Sequence, residues 1–120
     1  MILFLEYPKC STCKKVKKWL DDHHIEYVDR HIVEERPTVS ELAGWIRRSG
    51  LPLKRFFNTS GMKYRELQLK ERLPQMEEKE QIELLASDGM LVKRPLLVLE
   101  DKVLPGFREK EWMEALGIQE

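Results

Sequence analysis

Apolar residues in this chain follow two rhythms, a short continuous one typical of buried strands and a three-to-four-residue one typical of amphipathic helices. Ile2 to Glu6 has the first and reads as a buried strand. From Ser11 to about His23 the second takes over, with Val16, Trp19 and Leu20 on one face and Lys14, Lys15, Lys17, Lys18, Asp21 and Asp22 around them. Ile25 to Asp29 returns to a strand pattern, and a connection containing a helix of this length predicts a parallel, right-handed crossover. After Pro37, Thr38-Val39-Ser40-Glu41 has capping-box spacing; Leu42, Trp45 and Ile46 then share a face, and Gly50 and Pro52 supply stop signals.

From Leu53 to Gly89 the helical pattern continues but is broken. Asn58-Thr59-Ser60-Gly61 makes a turn, Tyr64 and Leu67 share a face, and Ile82, Leu85 and Ala86 lead to Asp88-Gly89. Residues 38 to 90 therefore read as a helical insertion. Leu96-Leu97-Val98-Leu99 and Val103-Leu104, joined by Glu100-Asp101-Lys102, predict an antiparallel hairpin. Pro105-Gly106 turns the chain into a last helix with Trp112, Ala115 and Leu116 on one face and Gly117 at its end. The expected architecture is a single α/β domain over residues 1–120. Its mixed β-sheet is built strand-helix-strand and then strand-strand-helix, with an all-helical insertion at about 38–90.

Length and composition agree: 120 residues with 42% hydrophobic content can build one core without staples or metals. The 21 basic residues match the 21 acidic ones, so no whole-molecule field favours nucleic acid or an anionic membrane, and charge recognition has to be local. The apolar opening stops at Glu6, far short of a signal-peptide core or the roughly 20 residues of a membrane span. A cytoplasmic protein with no direct nucleic-acid or membrane partner is expected. In that compartment a persistent structural disulfide is not, and a Cys-x-x-Cys near a strand-helix-strand unit reads as redox or metal chemistry.

Cys10 and Cys13 are the only cysteines, and they open the first predicted helix directly after the first strand. Unpaired amide groups there favour an anion, which makes Cys10 the candidate nucleophile and Cys13, three positions on, the candidate resolving thiol. Lys14 and Lys15 put positive charge where helices usually prefer acids, which points to a thiolate or an oxyanion substrate as the anion served. Lowering a thiol pKa from about 8.5 to about 7 raises the thiolate fraction about fifteenfold but costs about fivefold in nucleophilicity, a net gain of only about threefold. Leaving-group activation and substrate positioning must supply the rest.

Other readings of the pair are a zinc half-site and two inert core cysteines. His23 and His24 lie about 15 Å further along the same helix and cannot close a site with Cys10, so no metal is expected. By residue type alone, Arg94 reads equally as a surface residue and Pro95 as a strand start.

The element order, with Cys-x-x-Cys at the first strand-to-helix junction and Arg94-Pro95 just before the third strand, resembles the thioredoxin and glutaredoxin fold. More narrowly, Tyr7-Pro8-Lys9-Cys10-Ser11-Thr12-Cys13-Lys14-Lys15, the Asn58-Thr59-Ser60-Gly61 turn, Lys93-Arg94-Pro95 and Pro105-Gly106-Phe107 resemble the ArsC/Spx family over nearly the whole chain. The likeness is closest to ArsC-related proteins with a Cys-Ser-Thr-Cys site. It implies a thiol-dependent oxidoreductase similar to arsenate reductase. Cys10 would attack arsenate or a disulfide, Cys13 would close an intramolecular disulfide, and glutathione with glutaredoxin, or thioredoxin, would restore the dithiol without a bound cofactor. It also implies a cis peptide at Pro95 facing Cys10, an oxyanion held by Arg94, and a substrate site that includes Ser11, Thr12 and Asn58.

The sequence departs from the family's arsenate reductases in places. Of their three arginines the first falls on Asn58 here and the third has no evident counterpart near Pro105-Gly106-Phe107, which leaves Arg94 alone. One guanidinium grips an oxyanion bidentately but leaves a doubly charged arsenate short of counter-charge. The same resemblance carries an alternative, a Spx-like redox-sensing regulator that binds the RNA polymerase α C-terminal domain. Arg47 falls where those regulators carry a polymerase-contacting arginine, and Arg48, Lys54 and Arg55 add a basic cluster that also reads as a solvated helix face. Against this alternative, Pro52 stands where they carry glycine, and the sequence runs to Glu120 without their longer tail.

Overall fold

A computed structural model describes residues 1–119. Strand β1 (Leu3–Glu6) leads into helix α1 (Ser11–Asp22), which returns the chain to β2 (Val28–His31), parallel to β1 with Leu3 opposite Val28. The insertion follows: α2 (Val39–Ser49), α3 (Met62–Glu66), α4 (Leu69–Arg72) and α5 (Glu78–Ser87), with 3-10 turns at Leu53–Phe56, Leu73–Gln75 and Gly89–Leu91. The hairpin β3 (Leu96–Val98) and β4 (Val103–Pro105) and helix α6 (Glu109–Leu116) complete the chain. The sheet order is β2-β1-β3-β4, with β3 antiparallel to both neighbours, so the expected mixed sheet is present. Pro105 sits on the edge strand, where a missing N–H costs no ladder bond.

Alternation along the strands divides the interior in two. Phe4 and Leu97 face one side and pack with Val16 and Leu20 of α1 and Trp112 of α6. Leu5, Leu96 and Val98 face the other, where the insertion covers them with Leu42, Trp45, Phe56, Phe57 and Leu85. Trp112 is fully buried and its Nε1–H donates to the Gly106 carbonyl at 3.0 Å, fixing α6 against the turn that precedes it. Gly106 has φ +75°, a conformation that favours glycine.

The capping box forms as the spacing predicts: Glu41 N–H donates to Thr38 Oγ1 at 3.1 Å and Thr38 N–H to a Glu41 carboxylate oxygen at 3.0 Å. Gly50, with φ +67°, ends α2. One element is displaced. The second strand, expected over Ile25 to Asp29, is Val28–His31. Ile25 and Tyr27 do supply apolar packing, but they lie against the α1/α6 core before the ladder begins. The paired residues sit at a sheet edge and are largely polar, so apolar alternation could not mark them.

The ends of the insertion are stitched together. Asn58 N–H donates to the Leu91 carbonyl and Lys93 N–H to the Phe56 carbonyl, both at 2.8 Å, around an antiparallel bridge between Phe57 and Val92. This pairing delivers the Asn58 turn and the Lys93-Arg94 pair to the same end of the sheet as the first turn of α1. Among the described residues no helix is long and apolar enough to cross a membrane.

Candidate active site

Cys10 is the N-cap of α1, with φ −85° and ψ 120°. An N-cap side chain normally offers an oxygen to the first-turn amides. Here the sulfur takes that place, and Sγ accepts the Cys13 N–H at 3.4 Å. Cys10 is half-buried and Cys13 fully buried, and both are free thiols. Burial by itself raises the Cys10 thiol, but the Cys13 amide and thiol and the Arg94 guanidinium outweigh it and hold the group below its ordinary value. Cys13 moves the opposite way: burial, with the neighbouring Cys10 charge added, pushes it up to about 12. The two sulfurs of one short motif are thus set apart, one favouring the anion and one the proton.

Arg94 reaches the site from the residue before Pro95, and the Arg94–Pro95 peptide is cis. Its guanidinium lies 5.3 Å from the centroid of the Tyr7 ring and donates to the Met90 carbonyl at 3.3 Å. Tyr7 in turn meets His31 edge-on at 5.8 Å. Cys10 opens into a cleft of about 1230 Å³ that Thr12, Asn58 and Arg94 also line. The Asn58 side chain packs over Gly61, where an added Cβ would lie 2.6 Å from Asn58 Nδ2.

The other expected residues fall elsewhere. Ser11 is exposed and does not line the cleft, and Pro95 is buried and does not line it either. Lys14 and Lys15 are exposed on α1 and take no part in the cleft; the cation beside Cys10 is Arg94. Nor is Arg94 the only arginine, because Arg55 and Arg108 line the same space, together with Lys54, Lys63 and Lys93. These cations were not apparent as a set in the sequence, since they come from separate segments, the insertion, the Lys93-Arg94 pair and the residue before α6, that meet only in the fold. No group of three or more His, Cys, Asp or Glu among the described residues is placed to hold a metal.

This geometry can stabilise a sulfur anion, present it to an anionic ligand and keep a protonated thiol within one helical turn. A family model, that of the ArsC family, matches residues 5–115. The chain belongs to the ArsC family. Among curated relatives it is 57% identical over 113 residues to Uncharacterized protein YusI of Bacillus subtilis (strain 168), covering 94% of this chain and 96% of that one. It is 31% identical to Regulatory protein MgsR of the same organism, over 94% of this chain and 88% of that one. The crystal structure of an ArsC family related protein from Bacteroides fragilis superposes with a TM-score of 0.91 at 59% identity, covering 94% of this chain and 95% of that one. A structure described as a possible arsenate reductase from Streptococcus mutans UA159 gives 0.86 at 49% identity, over 93% and 97%. The fold is the thioredoxin-like one of ArsC-family structures.

Proposed function

We propose that this ArsC-family protein is a thiol-dependent oxidoreductase in which Cys10 is the nucleophile and Cys13 the resolving thiol. One observation carries the reading: the N-cap sulfur receives an amide hydrogen bond and sits beside Arg94 in a cleft lined by cations, while its partner sulfur is buried next to it. In the first step the Cys10 thiolate attacks either a disulfide sulfur, expelling the other sulfur as a thiolate, or the arsenic of arsenate, whose displaced oxygen leaves as water. Arg94, Asn58 and Thr12 line the space that the charged group would occupy, and Arg108 adds a second guanidinium. In the second step Cys13 gives up its proton and attacks Cys10 Sγ, breaking the bond to the adduct; the Cys10–Cys13 disulfide forms, and the substrate leaves as a thiolate or, with arsenic reduced by two electrons, as arsenite. A dithiol reductant of the glutaredoxin or thioredoxin kind, or glutathione, then restores both thiols.

Turnover of the reduced protein with arsenate and with a mixed disulfide, each supplied with glutaredoxin or thioredoxin, tests this reading. The expected result is turnover with at least one pair that is lost in Cys10→Ser. Silence in all four combinations, or full activity without Cys10, would remove it.

A second reading, a redox-sensing regulator that binds the RNA polymerase α C-terminal domain, draws support from the likeness to MgsR. The basic cluster it would use is divided, however. Arg48 is tied to the Leu99 carbonyl at 2.6 Å, and Lys54 and Arg55 face the cleft, leaving Arg47 exposed on α2. Capture of the polymerase α chain in one redox state only would favour this reading over the enzyme.

A further inference from the structure

The cleft beside Cys10 is much larger than a tetrahedral oxyanion requires. Five heavy atoms displace on the order of 100 Å³, a few water volumes of about 30 Å³ each, against about 1230 Å³ here. Six cationic side chains, Lys54, Arg55, Lys63, Lys93, Arg94 and Arg108, line it against two carboxylates, Glu66 and Asp88. Lys54, Arg55 and Lys93 make no ion pair among the described residues. Lys63 and Arg108 have only long ones, at 4.0 Å to Asp88 and 3.9 Å to Glu111. In a chain whose charges sum to zero, this is a local excess of positive charge that the nearby carboxylates only partly offset. The lining is not purely ionic either. Met62, 70% exposed, and Phe107 line it as well, apolar contacts that suit a chain with side chains better than an inorganic anion.

We propose that the substrate drawn to Cys10 is an acidic polypeptide segment carrying a disulfide. This rests on Cys10 being the attacking thiol. Cys10 Sγ attacks one sulfur of the substrate disulfide; that S–S bond breaks, the distal sulfur leaves as a thiolate, and Cys10 is joined to the peptide sulfur. The Cys13 thiol passes its proton to solvent and attacks Cys10 Sγ, expelling the peptide thiolate. Two protein thiols are oxidised to one disulfide, and one substrate disulfide is reduced to two thiols. Nucleic acid would match the charge but offers no sulfur for Cys10 to attack.

The test uses three cysteine-containing peptides as mixed disulfides with uncharged pyridine-2-thiol, flanked by Asp/Glu, Gly/Ser or Lys, with release of the chromophore followed by stopped flow. The acidic peptide is expected to react about tenfold or more faster than the basic one at low salt, with the ratio collapsing at high salt. In Lys54→Glu/Lys63→Glu the acidic-to-basic ratio should fall towards one or invert; reading a ratio cancels any change in Cys10 reactivity, and single Lys→Gln variants should move it part-way. Equal rates for all three peptides, or a ratio indifferent to salt and to the variants, would overturn the substrate class while leaving the thiol chemistry standing. Failure of every peptide to react would instead remove the Cys10 reading itself. An oligonucleotide that competes better than an acidic peptide lacking cysteine would assign the cleft to nucleic acid and overturn the proposal.

Discussion

Glu6 is the one buried charged residue among those described, and replacing it with glutamine should stabilise the protein in a pH-dependent way. Phe4 pairs with Asp29 across the parallel ladder, so Asp29 and Glu6 are diagonal neighbours on the face covered by α1. Lys17 reaches down from that helix to both, at 2.8 Å from Asp29 and 3.8 Å from Glu6. One ammonium therefore serves two carboxylates. Burial first, and Asp29 second, push Glu6 up to about 7, while Lys17 opposes them. Asp29 is held below its ordinary value despite its burial, by its contacts with Glu6 and Lys17.

The sign follows from linkage. A carboxyl whose folded pKa is raised contributes stability that is complete below its unfolded value of 4.5 and is lost as pH rises through about 7. The displacement is worth about 3 kcal/mol at most. A glutamine at this position would imitate the protonated acid and still donate to Asp29, while losing a long Lys17 contact worth about 1 kcal/mol or less. Glu6→Gln should thus match the parent at about pH 5 and exceed it by about 1–2 kcal/mol at about pH 8. Urea unfolding of both proteins across that range measures the difference. A variant less stable at the alkaline end, or a difference that does not change with pH, would show that Glu6 is charged without penalty.

Further outcomes follow from contacts elsewhere. A Cβ at Gly89 would collide with the Ile32 carbonyl oxygen and come within 2.7 and 2.9 Å of the Ile32 carbonyl carbon and Val33 Cα, all backbone atoms that cannot swing away. Gly89→Ala should therefore cost about 3 kcal/mol and lower Tm by about 10 °C, whereas Gly44→Ala, in open space within α2, should add about 0.5–1 kcal/mol; calorimetry that ranked them the other way would contradict the packing. Tyr7→Leu removes the ring beneath the Arg94 guanidinium, a contact worth about 0.5–1 kcal/mol, and should move the midpoint of Cys10 alkylation to higher pH, while Tyr7→Phe should not. Equal midpoints in the leucine and phenylalanine variants would mean that Arg94 holds its place without the ring.

The elements whose apolar period matches one buried face were readable in the chain: β1, α1 and α2 with its Thr38/Glu41 cap, the β3/β4 hairpin and α6 all lie where spacing puts them. β2 was displaced because Ile25 and Tyr27 bury themselves before the ladder starts, and the ladder residues are polar at an edge. At the site, Cys10 and Cys13 could be named from spacing, and Arg94 from the family resemblance alone. Lys54, Arg55 and Lys63 could not, because they lie in the insertion whose ends meet through the pairing of Phe56–Asn58 with Leu91–Lys93, nor could Arg108, which comes to the same cleft from the residue before α6. The lysines that looked important, Lys14 and Lys15, follow Cys10 in sequence but stand on the exposed flank of α1.

That Cys10 ionises more readily than an ordinary thiol while Cys13 holds its proton is most directly tested by alkylating the reduced protein with neutral iodoacetamide from about pH 5 to about pH 9 and resolving the two cysteines by mass spectrometry. Cys10 should react with a midpoint below that of an ordinary thiol, about 8.5, while Cys13, pushed up to about 12, stays unmodified throughout. Equal ordinary midpoints for both sulfurs, or earlier modification of Cys13, would contradict the arrangement on which the proposed chemistry stands.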